Sequence, residues 1–142
     1  MKRFAAVIAA LAGMFAASGA FGNVQTFERF SVDVPEGWSA RQEGPMVLLT
    51  KDDCSASMSI TVADPQGMNK KALAQAFMRE LKGTSLERDS DGDYTFDIMN
   101  AGGEKSEAYL GGDDDDYILF VITGMKNARD EITHILGTIM DN

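Results

Sequence analysis

The stretch Tyr117-Ile118-Leu119-Phe120-Val121-Ile122-Thr123-Gly124 is an unbroken apolar run that follows four aspartates and closes on a glycine. Rich in β-branched and aromatic residues and too short to span a membrane, it reads as a strand buried on both faces, the centre of a sheet. Beyond it, Ile132, Ile135, Leu136, Ile139 and Met140 recur at helical spacing, with Asn127 or Asp130 able to cap. A C-terminal helix ending near Met140 and packed on the central strand is expected.

Upstream, Lys105 to Leu110 predicts a strand that turns through Gly111-Gly112 and Asp113 to Asp116 into the central one. Tyr94 to Met99 alternates, with Tyr94, Phe96 and Ile98 inward, after a turn at Asp89 to Asp93 whose Asp-Gly pair suits tight geometry. Ser85 to Arg88 can form a short strand before it. Between Asn69, a plausible cap, and Lys82 the period becomes helical. Leu73, Phe77 and Leu81 with Ala74 and Met78 form the inward stripe, Lys70, Lys71, Gln75, Arg79 and Lys82 are solvated, and Gly83 is placed as a left-handed stop. Ahead of this helix come Ser57 to Ala63, the cleanest alternation in the chain, and the strands Met46 to Thr50, Trp38 to Gln42 and Phe30 to Val34. Their short turns predict an antiparallel meander. The expected order is β-β-β-β-α-β-β-β-β-α, an α+β fold with an antiparallel sheet and two packed helices.

Lys2 and Arg3, an apolar run from Phe4 to Ala17 and the small residues Ser18-Gly19-Ala20 form the pattern of a cleavable secretory signal peptide over residues 1–20. Cleavage is expected after Ala20, with Gly22 the next candidate, leaving residues 21–142 as a single domain. An uncleaved anchor is the alternative, although no basic stop-transfer residues follow the run. A periplasmic or secreted location is expected, with no membrane insertion after cleavage. The chain carries a net charge of −9, and loss of the leader leaves 11 basic against 22 acidic side chains. So acidic a domain repels nucleic acid and anionic lipid and favours basic partners or cations.

Cys54 is the only cysteine, so no intramolecular disulfide can form, and a quiet loop or half-buried thiol is expected. Two acidic turns, Asp89, Asp91 and Asp93, then Asp113, Asp114, Asp115 and Asp116, are candidate calcium ligands. They lack EF-hand spacing, and the other reading is solvated hairpin tips that discourage edge pairing. Trp38 after Pro-Glu-Gly either lines a ligand groove or packs over the core edge. His134, with no second histidine, cannot build a zinc site and is expected to be on the surface or half-buried. Neither a Gly-x-Ser-x-Gly elbow nor a phosphate loop is present. An enzyme is not expected, a small hydrolase with an unrecognised site being the remaining alternative. No cofactor is expected apart from calcium at the acidic tips.

The strand closing in Val34-Pro35-Glu36-Gly37-Trp38, the alternation Ser57 to Val62 before the first helix and the run Tyr117 to Gly124 before the last give the chain a resemblance to the Mog/PsbP-like family of small α/β/α sandwich proteins. That family includes bacterial envelope members of unknown function, and the likeness covers nearly all of residues 21–142. It implies a non-enzymatic accessory or partner-binding role and carries over no catalytic residue. The expected partner is another envelope protein, held near Trp38 and the basic helix residues Lys70, Lys71 and Arg79 by a monomer or weak dimer.

Overall fold

A computed structural model describes residues 22–99 and 102–141. The expected leader, residues 1–20, and its cleavage point lie outside the described residues. Strands β1 (Gly22–Thr26), β2 (Phe30–Pro35), β3 (Trp38–Glu43), β4 (Met46–Lys51) and β5 (Ser57–Ala63) precede helix α1 (Lys70–Glu80). Then come β6 (Gly83–Arg88), β7 (Tyr94–Met99), β8 (Lys105–Gly112), β9 (Tyr117–Thr123), a 3-10 turn (Met125–Asn127), helix α2 (Arg129–Gly137) and β10 (Met140–Asp141). The fold is α+β and antiparallel as expected, with β1 and β10 as additional strands. No helix among the described residues is long and apolar enough to cross a membrane.

The expectation for the central strand holds: β9 lies fourth in a seven-stranded sheet of order β3-β4-β5-β9-β8-β7-β6. Its alternate residues feed two cores, because side chains along a strand point to opposite faces. Ile118, Phe120 and Ile122 pair directly with Val62, Ile60 and Met58 of β5. Together with Val47 and Leu49 they are covered by Phe30, Val32 and Val34 of β2 and by Ile132, Ile135 and Leu136 of α2. Leu119 and Val121 face the other way. There they join Leu110 and Ala108 of β8 and Phe96 of β7 beneath Leu73, Ala74, Phe77 and Met78 of α1. Burying each large apolar side chain contributes on the order of 1.5–3 kcal/mol, so β9 draws stability from both sides.

Four details depart from expectation. First, β2 does not join the meander; it is the middle of a separate sheet, β1-β2-β10, which shares a layer with α2 over the larger core. Pro35-Glu36-Gly37 therefore passes the chain between sheets, with Gly37 at φ +86°. Second, Lys82, not Gly83, adopts the left-handed conformation after α1, at φ 58°. A Cβ at 83 would sit 2.5 Å from the Phe96 ring, so any larger residue there displaces that ring. Third, α2 stops at Gly137, and Met140 is 67% exposed in β10. Thr138 Oγ1 donates to the Ile135 carbonyl at 2.9 Å and accepts the Asp33 N–H at 3.0 Å, turning the chain into β10 alongside β2. Neither Asn127 nor Asp130 caps α2, whose N-cap is Ala128; the Asn127 amide donates instead to the Ser55 carbonyl at 2.9 Å. Fourth, His134 is buried, with Nε2 2.8 Å from an Asp33 carboxylate oxygen, so it ties α2 to β2. Cys54 is exposed in the β4–β5 turn at φ 63°.

Candidate functional site

Antiparallel pairing brings three separated stretches to one end of the large sheet: the N-terminus of α1, the β6–β7 turn and the β8–β9 turn. They enclose a cleft of about 470 Å³. Asn69 starts α1 there by accepting the Ala72 N–H at 2.8 Å, which fixes the direction of the first turn. That turn supplies Lys70 and Leu73 to the cleft, and Met68 stands 43% exposed at its mouth. The β8–β9 hairpin supplies Gly111, Gly112, Asp113, Asp114 and Tyr117. Gly112 cannot be replaced without strain: its φ is +104°, and a Cβ would meet the Asp116 carbonyl and the Tyr117 backbone. Asp91 and Asp93 complete the lining from the β6–β7 turn.

The seven acids of the two turns divide by task. Asp89 accepts the N–H groups of Asp91 and Asp93 at 2.9 and 3.0 Å, and Asp113 accepts those of Asp115 and Asp116 at 2.8 and 2.9 Å. These carboxylates build their own loops, the local side-chain-to-backbone bonding for which aspartate is favoured in turns. Asp93 is buried and accepts a hydrogen bond from Lys70 Nζ at 2.9 Å, while Asp116 is ion-paired with Arg29 of the β1–β2 turn. Asp91, Asp114 and Asp115 remain exposed. The cleft thus carries more negative than positive charge, with two exposed carboxylates coming from different hairpins. Its apolar wall includes Tyr117, whose ring packs 5.4 Å from that of Phe77 and whose hydroxyl pKa is raised, first by burial and then by the Glu80 charge.

The two acidic turns, read separately from sequence, are therefore neighbours across one cleft. Among the described residues no three Asp, Glu, His or Cys side chains converge into a group that could hold a metal ion. Lys70 points into the cleft, whereas Lys71 and Arg79 are exposed at the two ends of α1. Trp38 lies on the opposite face of the sheet from α1 and is 7% exposed. Its indole N–H donates to Glu131 of α2 at 2.8 Å; Lys51, 6.0 Å from the ring centroid, donates to the same carboxylate at 2.6 Å. Trp38 and the basic residues of α1 lie on opposite faces of the large sheet. Sequence reasoning missed Met68, Leu73, Gly111, Gly112 and Tyr117 as cleft residues. The paired glycines after an alternating strand were the available sign that a backbone comes close there.

No protein-family model and no curated protein matches this chain. Solved structures do. The solution structure of cyanobacterial PsbP (CyanoP) from Synechocystis sp. PCC 6803 superposes with a TM-score of 0.56 at 13% identity, over 92% of this chain and 100% of that one. A crystal structure from Bacteroides thetaiotaomicron VPI-5482 superposes with a TM-score of 0.51 at 16% identity. It covers 80% of this chain, which spans about 45% of that longer one. The chain has a PsbP-like fold. At these identities the likeness is one of architecture.

Proposed function

We propose that the protein is an exported, non-enzymatic accessory protein of the bacterial envelope that binds another envelope protein through the cleft between α1 and the β6–β7 and β8–β9 hairpins. The observation that carries the reading is the cleft itself: a concavity with an apolar wall and an acidic rim, formed where three elements meet on a PsbP-like scaffold. Its charge favours a basic surface on the partner. The composition of residues 1–20 supports export.

A photoreactive residue at position 68, at the cleft mouth, tests this in cells of the source organism, with the same residue at position 99, at the far end of β7, as the control. A single protein captured from position 68 and not from position 99 is the expected result. No capture from position 68, or the same proteins from both, overturns the reading.

A further inference from the structure

Resting on the reading that the cleft docks a protein, we propose that the group entering it is an arginine side chain from an exposed segment of the partner. The cavity has two kinds of wall. Leu73, the Tyr117 ring and Met68 are apolar; Asp91 and Asp114 bring exposed carboxylates from two different hairpins, and among the described residues neither has an ion-pair or side-chain hydrogen-bond partner. Lys70 already occupies Asp93 deeper in the cleft.

A guest must place an aliphatic stem against the apolar wall and positive charge at the rim. Both long basic side chains have the stem. They differ in the head group: an ammonium is a compact, strongly hydrated point charge, whereas a guanidinium is planar, weakly hydrated, stacks on aromatic faces and donates in several directions at once. Carboxylates on separate hairpins beside a tyrosine ring match the second description.

The test is a titration of the folded protein with a blocked Gly-Gly-Arg-Gly-Gly peptide, followed by amide NMR shifts, beside peptides carrying lysine or uncharged citrulline and beside spermidine. The shifts should centre on Met68, Gly111, Gly112 and Tyr117. Affinity should fall roughly tenfold for citrulline and for Asp91→Asn/Asp114→Asn, the effect of losing a charge-assisted contact. Both substituted side chains are exposed, so the variant's melting temperature should hold, and each single variant should show part of the loss. Equal binding of citrulline, tighter binding of lysine or spermidine, or shifts centred elsewhere overturns the proposal. If the double variant still captures the photo-cross-linked protein, the arginine inference fails while the partner-binding reading stands. If the wild type captures nothing yet binds the arginine peptide as described, only the partner-binding reading fails.

Discussion

On one face of the seven-stranded sheet, α2 and the β1-β2-β10 sheet together bury a large aliphatic core; on the other, α1 alone covers a smaller one and leaves its N-terminal end open as the cleft. The first face is also fastened by partly buried polar groups. Glu131 is shared by Trp38 and Lys51, and His134 meets Asp33. On the second, the polar fastening sits at the site: Lys70 on Asp93. The difference teaches how a small domain combines rigidity with a binding surface. One cover supplies stability, and the other is thin enough to leave a concavity at its end.

This contrast can be broken most directly through the cores. Phe120→Ala, in the larger core, should cost about 3–5 kcal/mol, and Leu73→Ala, under α1, about 2–3 kcal/mol in urea unfolding; equal or reversed costs would refute the asymmetry. Two glycines give a sharper test. Gly124, at φ +75°, faces the Ser55 carbonyl and the Ala56 backbone, which cannot yield, so Gly124→Ala should cost about 1–3 kcal/mol. Gly83 has no positive φ, and its closest approach is to the Phe96 ring rather than to backbone, so Gly83→Ala should cost less by the same measurement.

A third test uses alkaline pH. Burial and the hydrogen bond to Glu107 raise the Tyr109 pKa on the α2 side, and burial and Glu80 raise that of Tyr117 on the α1 side. A pKa raised by folding contributes stability that is complete below the unfolded value, about pH 10, and drains away as pH climbs toward the folded one. Wild-type stability should therefore fall above pH 10, and Tyr109→Phe should flatten that fall more than Tyr117→Phe. The smallest effect is expected from Asn69→Ala, about 1 kcal/mol from the lost cap, seen as faster hydrogen exchange in the first turn of α1 with β9 unchanged.

The elements with long, regular patterns were legible in the sequence. The β5 alternation and the continuous β9 run report their faces directly, and α1 announces itself by Asn69 and its stripe. β1 and β10 were not legible: Gly22-Asn23-Val24-Gln25-Thr26 and Met140-Asp141 have no apolar period, and they are strands because β2 lies between them. The second sheet was hidden for a related reason. Phe30, Val32 and Val34 alternate identically whether they pair with β3 or lie over it. At the site, the aspartates were visible but their grouping was not, since it depends on which hairpins share a sheet end. Asp89 and Asp113 illustrate the limit, because the same residue type builds a turn from within or presents charge to a visitor.

Because β1 and β10 both pair with β2, opposite parts of the chain become neighbours, about 10 Å apart across one intervening strand. A ribosome delivers them at opposite times. β2 emerges early, yet its second edge stays open until Met140 and Asp141 are made, and its inward Phe30, Val32 and Val34 wait as long for Ile132, Ile135 and Leu136. The smaller core, from Leu73 to Leu119, has all its parts sooner. During synthesis the order of the two faces is thus inverted: the thin cover with the cleft can assemble first, and the cover over the larger core can close only with the last residues of the fold.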